Sequence, residues 1–270
     1  MPELPEVETT RRGIAPLITG RRVVRVVVRD ARLRWPVPPT LARELKDQII
    51  VDVARRAKYL LLTTDVGSVI IHLGMSGSLR VVDHLLAPET HEHVDIVFDN
   101  GTCLRLRDPR RFGAVLWAVE PLRHVLLADI GPEPLGEAFD GAYLFGASRR
   151  RRRAVRDFLL DGNVVAGIGN IYANEALFEA GIRPKRAAGR LTRKECVRLV
   201  QTIRNTLSRA LKAGGTTLRD FQNANGKPGY FQLKLKAYGR DGLPCPRCQT
   251  PIRQLRLGQR SAFFCPACQL

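Results

Sequence analysis

The groups most able to react or to bind a metal gather at the two ends of the chain. Near the C-terminus, Cys245 and Cys248 are followed after sixteen residues by Cys265 and Cys268, a C-x2-C-x16-C-x2-C pattern. Four thiolates at that spacing suit a tetrahedral Zn2+ site. Four protein ligands leave no position open for water or substrate, so one zinc per chain is expected to hold structure and not to catalyse. A pair of disulfides is the competing reading. It conflicts with the reducing cytoplasm expected for a chain whose start, MPELPEVETT, has neither the basic run nor the apolar stretch of an export signal. At the other end, removal of the initiator methionine before the small Pro2 leaves a secondary amine. With a pKa of about 7.7 to 8.0, such an amine is substantially unprotonated near neutral pH and is a competent nucleophile. Glu3 sets a carboxyl beside it. Taken alone, the Pro-Glu pair reads as an ordinary N-terminal cap.

The chain must also position these groups. Its 270 residues exceed one typical domain, and Lys and Arg number 44 against 26 Asp and Glu, for a net charge of +18. That imbalance points to a polyanionic partner, with nucleic acid favoured over a membrane surface. No stretch approaches a membrane span. Cys103 and Cys196 stand isolated in apolar patterns and read as buried, inert thiols.

From Arg22 to Trp117, short β-branched runs such as VVRVVVRD, YLLLTT and HVDIVFDN alternate with Gly, Asp, Asn and Pro turns, which predicts a mostly antiparallel β-sandwich. A helix beginning near Pro5 precedes it, with Val7 and Ile14 on one side. The Gly- and Pro-rich segment from Ile130 to Gly141 breaks both periodicities and reads as a linker. Helical spacing follows: Val155, Phe158 and Leu159, then Val197, Val200, Ile203, Leu207 and Leu211 between Glu195 and Ala213. Between the cysteine pairs, Arg253, Arg256 and Arg260 are spaced through an expected hairpin too small to own a core, which zinc would stabilise.

The opening Pro2-Glu3-Leu4-Pro5-Glu6-Val7-Glu8 and the terminal zinc ribbon resemble formamidopyrimidine-DNA glycosylase. The resemblance runs the length of the chain through RRAKYLLL (Arg55 to Leu62), HLGMSG (His72 to Gly77), DPRRFG (Asp108 to Gly113), GIGNIYANEALF (Gly167 to Phe178) and GKPGYF (Gly226 to Phe231). It implies an α+β architecture: an N-terminal β-sandwich flanked by helices over 1–130, a helical helix-two-turn-helix domain over 131–235, and a four-cysteine zinc-finger hairpin over 236–270. It also implies a bifunctional DNA glycosylase and AP lyase of base excision repair, acting as a monomer on double-stranded DNA that contains an oxidised purine.

The resemblance further assigns residues. Pro2 is the Schiff-base nucleophile, Glu3 the general acid, Lys58 the proton donor assisting β-elimination, and Arg260 the residue of δ-elimination. Lys58 otherwise reads as a solvated lysine at the edge of a strand. Met75, Arg110 and Phe112 would fill the void left by a flipped nucleotide, with Arg110 on the orphaned base. His91, Arg151 and Asn170 match DNA-contacting positions. Asn170 reads independently as an N-cap, and the run from Arg149 to Arg153 leaves open which arginine grips phosphate. The GKPGYF segment resembles a loop closing over the lesion. Two alternatives stand beside this reading. An endonuclease VIII-like enzyme for oxidised pyrimidines is disfavoured by Leu4, Val7 and the Met75, Arg110, Phe112 set. A non-catalytic zinc-ribbon protein would not require Pro2, Glu3 and Lys58 together.

Overall fold

The computed structural model describes residues 1–214 and 235–270. The lesion-loop motif from Gly226 to Phe231 lies outside the described residues. The described chain falls into two compact units, Met1–Ala128 and a second that begins at Asp129.

In the first unit the β-branched runs form two four-stranded antiparallel sheets. One has the order β1 (Val23–Val28), β6 (Glu92–Phe98), β7 (Thr102–Arg107), β5 (Ser78–Asp83). The other runs β2 (Asp52–Arg56), β3 (Tyr59–Thr64), β4 (Gly67–His72), β8 (Ala114–Ala118). Alternation sends one face of each strand inward, so Leu60, Leu62, Val69 and Ile71 from one sheet share a core with Val94, Ile96, Leu104 and Leu106 from the other. Helix α1 (Leu4–Ile18) adds Val7, Ile14 and Ile18 to that core. A five-residue helix, α2 (Leu41–Leu45), adds Leu41 and Leu45 at i, i+4, a periodic signal too short to be legible in the sequence.

The second unit is helical: α3 (Gly141–Ser148), α4 (Val155–Leu159), α5 (Asn170–Ala180) and α6 (Arg193–Lys212), followed by a β9 (Arg253–Leu257) and β10 (Arg260–Phe264) hairpin. Thr192 caps α6 by accepting from the Glu195 N–H, and Glu195 accepts in return from the Thr192 N–H. Val200, Ile203 and Leu207 are buried, but Val197 is 59% exposed and lies beside the N-terminus of α3, where a Cβ on Gly141 would meet it at 2.5 Å. The buried stripe of α6 runs instead through Cys196, Leu199, Val200, Ile203, Leu207 and Ala210, with Leu211 half-buried at its edge. The zinc module does not fold around itself alone: Phe178 of α5 shares one apolar cluster with Ala237, Cys245, Ile252, Phe263 and Cys265. Among the described residues no helix is long and apolar enough to cross a membrane.

Candidate active site and zinc centre

Pro2 and Glu3 are held at the start of α1. Glu3 is its N-cap residue, 3% exposed, and its backbone N–H donates to the Glu6 carboxylate at 2.9 Å. Glu6 is itself buried. The residues before the helix are thereby fixed rather than frayed, and a carboxyl is retained one residue from the candidate nucleophile.

Helix α1 is tied to the position of Lys58 by a charge cluster. Glu8, mostly buried, accepts from Arg11 and Arg12 and, at 3.2 Å, from Arg55. Burial pushes the Glu8 carboxyl upward, but the Arg11 and Arg12 hydrogen bonds and the Arg55 charge win and hold it below its ordinary value. Arg55 also donates to the Ala57 carbonyl at 3.0 Å. Lys58 stands at a strand end, directly before Tyr59 of β3. It occupies the two-residue turn between β2 and β3, where Ala57 adopts φ of 53°. Arg55 thereby links Glu8 of α1 to this turn through the Ala57 carbonyl, and Lys58 is half-buried.

His72, at the end of β4, borders the same region. Burial, with the neighbouring charges of Lys58 and Arg34, pushes its pKa down to about 4. Its ring lies 4.8 Å from that of Tyr59, and Nδ1 accepts from the Gly74 N–H at 3.1 Å. The neutral imidazole therefore carries its proton on Nε2. Together with Arg34, Trp35, Tyr59 and Phe112 it lines a cavity of about 290 Å³.

Met75 lies in the turn joining β4 to β5, 40% exposed, and Phe112 in the turn joining β7 to β8, 41% exposed. Both are large apolar groups left in water on loop tips. The Arg110 guanidinium stacks over Phe112 at 4.8 Å from the ring centre. The two turns are in backbone contact, since a Cβ at Gly74 would stand 2.5 Å from the Phe112 carbonyl carbon. His91, exposed and at φ of 72°, is joined to the same assembly when its carbonyl accepts from the Asp108 N–H at 2.9 Å.

In the second unit the structure separates the five arginines. Arg149 is spent internally, donating to the Leu191 carbonyl at 2.6 Å and stacking on Phe145 at 3.9 Å. Arg153 pairs with Asp161. Arg150, Arg151 and Arg152 line a groove of about 580 Å³ with Arg190. Asn170 does not cap α5; Gly169 is the N-cap residue and Asn170 is the first helical residue. Its amide instead donates to the Ser261 carbonyl at 2.9 Å.

Two residues not singled out from the sequence complete this region. Fully buried Arg156 donates to the carbonyls of Leu257 at 2.8 Å and Arg260 at 3.2 Å. Asn174 accepts from the Phe263 N–H at 2.7 Å. The hairpin bearing Arg260 is therefore bolted to α4 and α5. Arg260 itself is exposed.

The four cysteine sulfurs lie within 4.8 Å of one another, and Cys245 to Cys268, Cys248 to Cys265 and Cys248 to Cys268 measure 3.9, 3.5 and 3.4 Å. Metal–sulfur bonds of about 2.3 Å in a tetrahedron place sulfurs about 3.8 Å apart, so the donor set fits one structural zinc. No pair is bonded as a disulfide.

The family model for the formamidopyrimidine-DNA glycosylase N-terminal domain matches residues 1–115, that for its H2TH domain 130–222, and that for the zinc finger found in FPG and IleRS 242–270. The chain belongs to the formamidopyrimidine-DNA glycosylase family. It is thereby one of the DNA glycosylases of base excision repair. A formamidopyrimidine-DNA glycosylase of Thioalkalivibrio sulfidiphilus is 59% identical over 270 residues, covering all of both chains, and one of Pseudomonas entomophila is 57% identical over 269 residues at the same coverage. The crystal structure of the MutM (Fpg) protein of Thermus thermophilus superposes with a TM-score of 0.89 at 39% identity, covering 99% of this chain and 98% of that one. A Lactococcus lactis Fpg in complex with DNA containing an abasic site gives 0.91 at 33% identity, covering 99% of each.

Proposed function

We propose that this glycosylase removes oxidised purines, 8-oxoguanine and formamidopyrimidines, from double-stranded DNA and then nicks the strand by β,δ-elimination. The observation carrying the reading is the placement of Pro2 and Glu3: an amine precursor fixed by a helix N-terminus, a buried carboxyl beside it, and an arginine-clamped tie from that helix to the Lys58 turn.

Once Met1 is removed, the Pro2 nitrogen has a free lone pair to attack C1′ while the glycosidic C–N bond breaks and the base departs with a proton. Glu3 donates a proton to the sugar ring oxygen as the ring opens, leaving an iminium between Pro2 and C1′. That cation acidifies the C2′ hydrogen; loss of this proton expels the 3′ phosphate, with Lys58 assisting proton transfer. Loss of the C4′ hydrogen then expels the 5′ phosphate, whose charge the permanently protonated Arg260 offsets.

Flipping the nucleotide costs a few kcal/mol and leaves a gap in the stack. Met75 and Phe112 fill it, and Arg110 faces the orphaned base. His91, Asn170 and Arg151 grip phosphates, with Arg150 and Arg152 beside Arg151 in the same groove. A Zn2+ held by Cys245, Cys248, Cys265 and Cys268 would keep the Arg260 hairpin folded, with no coordination position left for substrate. The protein acts as a monomer in the cytoplasm, where its substrate lies.

Duplexes bearing one defined lesion opposite each of the four bases test the substrate class. Efficient excision of 8-oxoguanine opposite cytosine, with little opposite adenine, is expected. Excision of oxidised pyrimidines in place of purines would overturn it.

A further inference from the structure

We propose that Asp108 is a positioning residue that registers Met75, Arg110 and Phe112 as one wedge and so sets discrimination of the base opposite the lesion; this rests on the void-filling role given to those three side chains.

Asp108 is completely buried. One carboxylate oxygen accepts from the Ser76 hydroxyl at 3.1 Å, next to Met75, and the other from the Gly113 N–H at 2.8 Å, next to Phe112. Its main chain reaches a third loop: the N–H donates to the His91 carbonyl at 2.9 Å, and the carbonyl lies 2.9 Å from the His93 Nε2. A single residue of the first unit thus touches the three loops that present Met75, His91, and Arg110 with Phe112. Strand pairing brings the ends of these loops together, with His72 opposite Ala114 and both Ser78 and Glu92 opposite Arg107, and Asp108 ties the loops beyond those last paired residues.

The chemistry suits that task. A carboxylate accepts at both oxygens, and here two neutral donors from different loops converge on it, while among the described residues no cation pairs with it. Removing a charged group from water is costly, and the two hydrogen bonds offset that cost only while both loops are in place. The carboxylate therefore penalises any state in which one tip drifts from the other. Asparagine keeps the geometry, accepting from Gly113 and donating to Ser76; alanine keeps neither contact.

Single-turnover rates on 8-oxoguanine opposite cytosine, 8-oxoguanine opposite adenine and a ready-made abasic site test the proposal in Asp108→Ala, Asp108→Asn and Ser76→Ala, with Arg110→Ala as reference. An arginine reading a base edge is worth roughly 5- to 150-fold in discrimination. Arg110→Ala should lose that ratio. Asp108→Ala should lose about tenfold or more of it by misplacing the same guanidinium, with a far smaller fall on the abasic site. Asp108→Asn should restore the ratio, and Ser76→Ala, which leaves no cavity larger than a hydroxyl, should fall between. If Arg110→Ala abolishes discrimination while Asp108→Ala and Ser76→Ala keep it, the positioning role is overturned and the wedge stands. Equal losses on all three substrates with no rescue by asparagine would also overturn it, as a general fold defect. Should Arg110→Ala itself leave the ratio intact, the void-filling assignment fails.

Discussion

Replacing Gly74 by alanine should unseat the wedge without touching any group that reacts. Gly74 adopts φ of +62°, and an added Cβ would stand 2.5 Å from the Phe112 carbonyl carbon, 2.6 Å from the Gly113 nitrogen and 2.8 Å from the Phe112 oxygen. All three are backbone atoms, so no flexible side chain can swing aside. The left-handed conformation costs a non-glycine residue about 1 to 2 kcal/mol. Relieving the overlap costs about 1 to 3 kcal/mol more. A total of about 2 to 5 kcal/mol corresponds to a fall in melting temperature of roughly 10 °C for a protein of this size. Relief requires the Phe112 turn to move by about 1 Å, a displacement that costs on the order of 100-fold where geometry governs rate. Calorimetry should show the lower transition, and single-turnover assays should show lesion excision falling much more than cleavage of a ready-made abasic site. A variant that melts within about 1 °C of the native protein and excises normally would refute the close packing of these turns.

His72 is a base depressed from the ordinary 6.5 to about 4, so on acidification the unfolded chain binds its proton first. Its contribution to stability is full above pH 6.5 and lost by pH 4, about 3 kcal/mol in all, and denaturant titrations of His72→Gln should lack that component. For DNA binding, Arg151→Ala should flatten the log-log salt dependence by about 0.9. Arg149→Ala should instead lower stability with the slope kept, because its guanidinium is already bonded to Leu191. Metal analysis should return one zinc per chain, and Cys248→Ser should lose both the metal and most strand cleavage; full cleavage without zinc would remove the scaffolding role.

Much of this was legible in the sequence because it is local. Cysteine spacing alone specified the four-sulfur cluster, and the β-branched runs marked the strands. Where the reading erred, the error lay in register. Asn170 sits one position inside the helix it was expected to cap, and Val197 carries the right spacing but faces outward at the end of its stripe. What stayed hidden depends on contacts distant in sequence. Asp108 meets Ser76 across 32 residues, Asn174 meets the Phe263 backbone across 89, and Arg156 meets that of Arg260 across 104. No periodicity encodes such pairings. The arginine run was ambiguous for the same reason: its members differ only in what the fold puts beside them.

The proposed covalent bond between Pro2 and the sugar can be trapped chemically. An amide nitrogen is delocalised into its carbonyl, so only the freed N-terminal amine has the lone pair required. Borohydride added during turnover of a lesion-containing duplex should reduce the iminium and leave a stable protein–DNA adduct that peptide mapping assigns to residue 2. A few uncleaved residues ahead of Pro2 should abolish the adduct while DNA affinity is kept. An adduct mapping to Lys58 would contradict the assignment of the nucleophile, and tight lesion binding with no adduct at all would contradict the covalent mechanism.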